Sequence, residues 1–122
     1  MDSRESLLAA DEPAAYTLIN EQGAGQVFLA CDHASRSIPR ALGTLGLGDA
    51  ELSQHIAWDI GAAGVARRLS ALLDAPLILQ NWSRLVIDCN RPPRVADSVP
   101  AKSGGIEIPG NTAIDDAERS RR

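Results

Sequence analysis

Residues 26–31, Gln26-Val27-Phe28-Leu29-Ala30-Cys31, form a run of apolar side chains that stops abruptly at Asp32, His33, Ser35, Arg36 and Ser37. Upstream it is bounded by Glu21-Gln22-Gly23-Ala24-Gly25, where two glycines can take the positive φ of a turn. A short run without polar alternation predicts a strand buried on both faces, as in a parallel sheet covered by helices. The end of such a strand, where its loop begins, is where α/β proteins place binding and catalytic groups.

The rest of the chain supplies partners for that strand. Residues 15–20 predict a short edge strand, and residues 77–80 and 85–88 two more, separated by the turn Asn81-Trp82-Ser83. Asp49 is placed to cap a short helix through Glu51 and His55 to about Trp58. Asp59 is placed to cap a second helix over residues 60–73, with Arg67 and Arg68 on its wet side. Asp74-Ala75-Pro76 stops that helix. Strand, helices and strand in this order predict a βαβ unit, right-handed by the general rule. From Asn90 onward prolines and glycines predict loops, and residues 114–122 read as the opening of a further helix. One substantial helix covers only one face of a parallel sheet. The expected organisation is therefore a flexible lead-in over residues 1–13 and, over 14–122, the N-terminal part of a single domain whose folding unit is cut short.

Composition supports this class and excludes others. Hydrophobic residues make up 44% of the chain and aromatics only 3%, so the core is aliphatic, which suits helices on a buried sheet better than a β-sandwich. Twelve basic and sixteen acidic residues give a net charge of −4, which argues against a nucleic-acid binder. The basic cluster Arg119-Ser120-Arg121-Arg122 follows Asp115, Asp116 and Glu118 and reads as a solvated segment. The charged start of the chain, without a long apolar run, predicts neither signal peptide nor membrane span, and a cytoplasmic location. Cys31 and Cys89, far apart in sequence, predict no disulfide framework.

Three segments carry candidate chemistry. His33, beside Asp32 at a strand end, could ligate a metal through one ring nitrogen while a carboxylate or carbonyl holds the other, or could be an ordinary loop histidine. His55 and Asp59 lie four residues apart and would share one face of a continuous helix, where they could hold one ion; the competing roles are a half-buried helix residue and an N-cap. Asp88-Cys89-Asn90-Arg91-Pro92 offers an amide and a planar guanidinium suited to gripping a carboxylate, though Asp88 could equally pair with Arg84 or Arg91. Cys31 could act as a nucleophile with His33, but small core residue is the preferred reading for a free cysteine so placed.

Taken in order, Cys31-Asp32-His33-Ala34-Ser35 with Ile38-Pro39, His55-Ile56-Ala57-Trp58-Asp59-Ile60-Gly61-Ala62, Ser83-Arg84-Leu85-Val86-Ile87-Asp88-Cys89-Asn90-Arg91-Pro92 and Ile108-Pro109-Gly110-Asn111 resemble the N-formylglutamate amidohydrolase family. The resemblance spans about residues 26–111, and members of that family are considerably longer than this chain. It implies a zinc carboxypeptidase- and aspartoacylase-like fold. That is a partial three-layer α/β sandwich, phosphorylase/hydrolase-like, with a mixed, mostly parallel sheet and flanking helices. It also implies metal-dependent hydrolysis of a small N-acyl amino acid, typically N-formyl-L-glutamate to formate and L-glutamate in histidine degradation, with zinc or another divalent metal as cofactor. In this picture His33 is a metal ligand, Asn90 and Arg91 hold the substrate carboxylate, and Arg84 assists them. Related zinc enzymes often carry a glutamate three positions after the first ligand; here that position is Arg36, so Asp59 is the candidate carboxylate ligand. Asp32, Ser35, His55 and Asp88 are candidates to support the ligands, and the general base is expected outside this chain. The partner expected is a small-molecule substrate, with neither nucleic acid nor membrane. The alternative is a catalytically inactive fragment, or a carboxylate-binding module of the same family.

Overall fold

The computed structural model describes residues 6–122. A three-stranded mixed sheet is built from β1 (Tyr16–Ile19), β2 (Leu29–Cys31) and β3 (Leu77–Gln80), with β3 in the centre. β1 pairs with β3 antiparallel, Leu18 opposite Ile78; β2 pairs with β3 in parallel, Cys31 opposite Leu79. Between β2 and β3 lie α1 (Asp49–Leu52) and α2 (Ala62–Leu73), so the expected βαβ connection is present. Beyond β3 come a two-stranded hairpin of β4 (Lys102–Ser103) and β5 (Ile106–Glu107), and then α3 (Asp116–Arg121).

Strand alternation decides the layers. Leu77, Leu79 and Cys31 point to one face and are buried against Ala62, Ala63 and Ala66 of α2. The small alanine side chains, rather than Leu69, Leu72 and Leu73, form the inner face of this helix, so the leucines face outward and are exposed. Tyr16, Leu18 and Ile78 point to the other face of the sheet, where Tyr16 and Leu18 are exposed. A second core lies beside the sheet, where Leu45, Leu47, Ile56, Ala57, Leu85 and Ile108 pack together.

Several expectations are corrected. The strand expected over 26–31 is confined to β2 at a sheet edge; with no neighbouring strand on its outer side among the described residues, Phe28 is 62% exposed rather than buried. Residues 85–88 form no strand. The carbonyls of Leu85 and Val86 accept from side chains instead: Asn111 Nδ2 donates to the Leu85 carbonyl at 2.8 Å and Arg122 Nη1 to the Val86 carbonyl at 3.0 Å. α1 ends at Leu52, because Ile56 and Ala57 must turn inward to the core, and Gly48 rather than Asp49 stands at its N-cap. His55 and Asp59 therefore share no helix. α2 starts two residues later than expected, after Gly61, whose φ of +86° suits glycine.

The lead-in is anchored over its described part: Leu7 is buried against Trp82 and Val86, and Asp11 pairs with Arg40 at 2.6 Å. Residues 1–5 of that expectation lie outside the described residues. The basic cluster is not simply solvated either. The Arg122 side chain is 1% exposed and is held by Glu118, Asn111 and the carbonyls of Val86 and Gly110.

Candidate functional site

His33 stands just beyond β2, and its backbone carbonyl accepts the Asp59 N–H at 3.0 Å. That bond carries Asp59 to the histidine from the segment preceding α2. Gly61 takes the N-cap position without any side-chain cap, so the Asp59 carboxylate is not used as a helix cap. It faces His33 instead, with Oδ2 3.1 Å from Nδ1.

The other ring nitrogen, Nε2, lies 2.8 Å from Asp88 Oδ1. Asp88 is buried, with 5% of its side chain exposed. Its loop is fixed by the Asp88 N–H donating to Ser98 O at 2.7 Å and by the Asn90 N–H donating back to Asp88 Oδ1 at 3.0 Å. Burial alone would raise the Asp88 carboxyl, but bonds from His33 and the Asn90 N–H, with the nearby charges of His33 and Arg84, hold it below the usual carboxylate range. Arg84 forks between the two carboxylates, Nη1 3.5 Å from Asp59 Oδ1 and Nη2 3.3 Å from Asp88 Oδ2.

This arrangement has a definite chemical character. With a proton on Nε2 donated to Asp88, a neutral imidazole turns its Nδ1 lone pair toward an Asp59 oxygen. Two electron-rich atoms 3.1 Å apart need a cation between or beside them, either a proton or a metal ion. Imidazole nitrogen with carboxylate oxygen is a zinc-type donor pair, and two bonds of about 2.0–2.1 Å to one ion can span such a separation. Among the described residues no set of three or more His, Cys, Asp or Glu side chains is grouped to hold a metal, so this pair fits as part of a ligand set.

His33, Asp59, Asp32 and Asn90 line an open groove of about 600 Å³ together with apolar residues of β2 and α2 such as Leu29, Val65 and Leu69. Arg91 and Arg84 line a neighbouring cleft of about 160 Å³ together with Asp88 and Lys102. Arg91 is exposed, makes no ion pair among the described residues, and donates from Nη1 to the Asn90 carbonyl at 3.2 Å. The structure thus brings together His33, Asp59, Asp88, Arg84 and Asn90, with Arg91 adjacent.

Other candidates stand apart. His55 is exposed and its ring lies near Gly104 of the hairpin turn. Ser35 Oγ accepts the Ser37 N–H at 3.1 Å; Asp32, by contrast, lines the same groove as His33, and its carbonyl accepts from Cys89 Sγ at 3.6 Å. Both cysteines are free. Burial and the Asp32 and Asp59 carboxylates push the Cys31 thiol up. Although Cys89 as a residue is exposed, its Sγ turns in toward Gln80 Oε1 at 2.9 Å; desolvation and the carboxylates of Asp32 and Asp88 push that thiol up to about 11. Neither is poised as a nucleophile. Sequence reasoning missed Ser83, which is fully buried and ties the site loop to its neighbours: its N–H donates to Ser37 O and its hydroxyl to Ala57 O at 2.7 Å.

Fold and site thus define a small mixed α/β unit with a histidine–carboxylate cluster beyond a parallel strand. The profile of the N-formylglutamate amidohydrolase family matches residues 25–122, and the chain belongs to that family. A solved structure similar to it, gene product Atu2144 from Agrobacterium tumefaciens, is 47% identical and superposes with a TM-score of 0.92 over 95% of this chain. The chain spans 46% of the length of that protein. No curated protein matches the sequence. Among the described residues no helix is long and apolar enough to cross a membrane.

Proposed function

We propose that this chain carries part of the active site of a metal-dependent amidohydrolase acting on a small N-acyl amino acid, with N-formyl-L-glutamate as substrate and formate and L-glutamate as products. The observation that carries the reading is the His33 imidazole clamped between Asp88 and Asp59, with Asn90 at the same groove. His33 Nδ1 and Asp59 would hold a zinc or similar divalent ion, and the further donors and the general base would come from outside these residues. When bound, such an ion supplies Lewis acidity toward an amide carbonyl and lowers the pKa of water.

The protein's own groups supply orientation. Asp88 fixes the tautomer and angle of His33, a role that carboxylates commonly play behind a ligating histidine. Arg84 bonds both carboxylates and keeps them turned toward the histidine. Asn90 and Arg91 hold the carboxylate of the substrate, the guanidinium because it has no acidic partner among the described residues and a planar fork that matches a carboxylate. The sheet would be one layer of a three-layer sandwich, with α2 on one side and the Leu18–Ile78 face covered by further helices.

A second reading rests on the small number of grouped metal donors: an inactive fragment or carboxylate-binding module that retains Asn90 and Arg91. Formate release from N-formyl-L-glutamate by the zinc-supplemented chain, run beside a binding titration of the same compound, separates the two. Metal-dependent release that is lost in His33→Ala supports the enzyme. Binding weakened by Arg91→Met, without release, supports the module. Neither binding nor release overturns both.

A further inference from the structure

The cleft beside the His33 groove is lined by three cations, Arg84, Arg91 and Lys102, with Asp88 and Asp97. Asp88 and Arg84 are committed to each other and to His33 and Asp59. Two cations, Arg91 and Lys102, then face one carboxylate, and none of these three makes an ion pair among the described residues. Lys102 is the one lysine of the chain. It opens the β4–β5 hairpin opposite Glu107, its natural structural partner, yet that pair is not formed either. The hairpin is held by other contacts. Gly104 and Gly105 turn it with φ of +56° and +80°, as a tight two-residue turn requires. A Cβ at Gly104 would lie 2.9 Å from Ile56 Cγ2, so glycine lets the turn sit against Ile56, a wall of the same cleft. The Ile108 N–H donates to the Ala101 carbonyl at 2.9 Å, which fixes the backbone just before Lys102. Ile56, Leu85 and Pro100 give the cleft an apolar lining, and its volume of about 160 Å³ holds about five waters, the scale of a carboxyethyl arm.

We propose that Lys102 selects an acidic side chain on the substrate: its ammonium takes the side-chain carboxylate of an N-acyl amino acid, while Asn90 and Arg91 hold the α-carboxylate. This rests on the amidohydrolase reading of the site. Asn90 lines the groove that contains His33, and the next residue, Arg91, lines the cleft, so a single amino acid can span the two. A neutral side chain in the cleft leaves the ammonium to water. A carboxylate gives it a charge-assisted bond beside apolar walls, where that bond is stronger than in bulk water. The flexible stem of lysine also lets a point charge follow the end of a side chain, whereas the planar fork of Arg91 suits the fixed carboxylate next to the amide.

The test is calorimetric titration of the zinc-supplemented chain with N-formyl-L-glutamate and with N-formyl-L-glutamine, its uncharged isostere. Binding of the glutamate compound about ten-fold tighter is expected, the scale of one charge-assisted bond. Lys102→Met should abolish that preference by weakening the glutamate compound alone, and Lys102→Arg should restore it. Glu107→Gln, across the hairpin, should leave it intact. Circular dichroism confirms that the variants fold. A measurement on the unaltered sequence stands beside them: reductive methylation with isotopically labelled formaldehyde gives one lysine signal, which should shift with the glutamate compound and stay in place with the glutamine compound. Binding of both compounds without preference, or a preference that Lys102→Met leaves unchanged, overturns the proposal and leaves the amidohydrolase reading standing. A preference that depends on Lys102, without formate release, supports the proposal while counting against hydrolysis by this chain. Binding of neither compound overturns the proposal together with the reading beneath it.

Discussion

His33 Nε2 and Asp88 Oδ1 lie 2.8 Å apart at the buried side of the imidazole, and this contact determines which nitrogen is left for the groove. An Asp88→Asn variant keeps the shape but removes the charge that favours Nε2–H. Zinc affinity measured by calorimetry should fall about 10- to 100-fold, the usual cost of losing a carboxylate behind a ligating histidine. Unchanged affinity would mean that Asp88 is only a structural ion-pair partner.

Arg122 supplies the second prediction. Its guanidinium ties α3 to the carbonyls of Val86 and Gly110 and to Asn111, which itself holds the Leu85 carbonyl. Arg122→Ala leaves these acceptors without their donor, and a loss of about 2 kcal/mol in urea unfolding is expected. A change within experimental error would show that water replaces the guanidinium freely.

Thiol chemistry supplies the third. Cys89, pushed up to about 11, is almost wholly protonated at neutral pH. Alkylation by iodoacetamide at pH 7 should therefore be slower than that of a free cysteine peptide, and should accelerate only in strong alkali. Fast modification at pH 7 would place a thiolate near the site and revive cysteine chemistry there.

Acid sensitivity at the turn before β2 is the fourth. Asp74 accepts the Ala24 N–H and Asn20 Nδ2, both at 3.0 Å, and these bonds hold its carboxyl below the ordinary 3.8. A depressed carboxyl contributes its stability in full above the ordinary value and loses it as pH falls through the folded one. The Ala24 amide shift should thus titrate with a midpoint below 3.8, and the transition should vanish in Asp74→Asn. A midpoint at or above 3.8 would contradict the lock.

The legible part of this protein was local. The apolar run 26–31, the stop at Pro76 and the strand 77–80 fixed where β2 ends and what it pairs with, and so placed His33 at a sheet corner. Asp59 and Asp88 were visible as acids near motif residues, but their convergence on opposite nitrogens of one ring was not, because it depends on a backbone bond from Asp59 to the His33 carbonyl across 26 residues. The false strand at 85–88 has the same origin. Leu85, Val86 and Ile87 have strand-like side chains, yet the carbonyls of Leu85 and Val86 are claimed by Asn111 and Arg122 from much later in the chain, and that of Ile87 by Gln80 Nε2. Helix geometry misled in one place, since His55 and Asp59 share no turn once Ile56 and Ala57 are drawn into the core.

The central claim is that His33 and Asp59 are metal ligands, and zinc calorimetry on the purified chain tests it most directly. One zinc should bind per chain, with affinity at least ten-fold weaker in His33→Ala and in Asp59→Asn but unchanged in His55→Ala. No binding at millimolar zinc, or binding that His33→Ala leaves untouched, would contradict it.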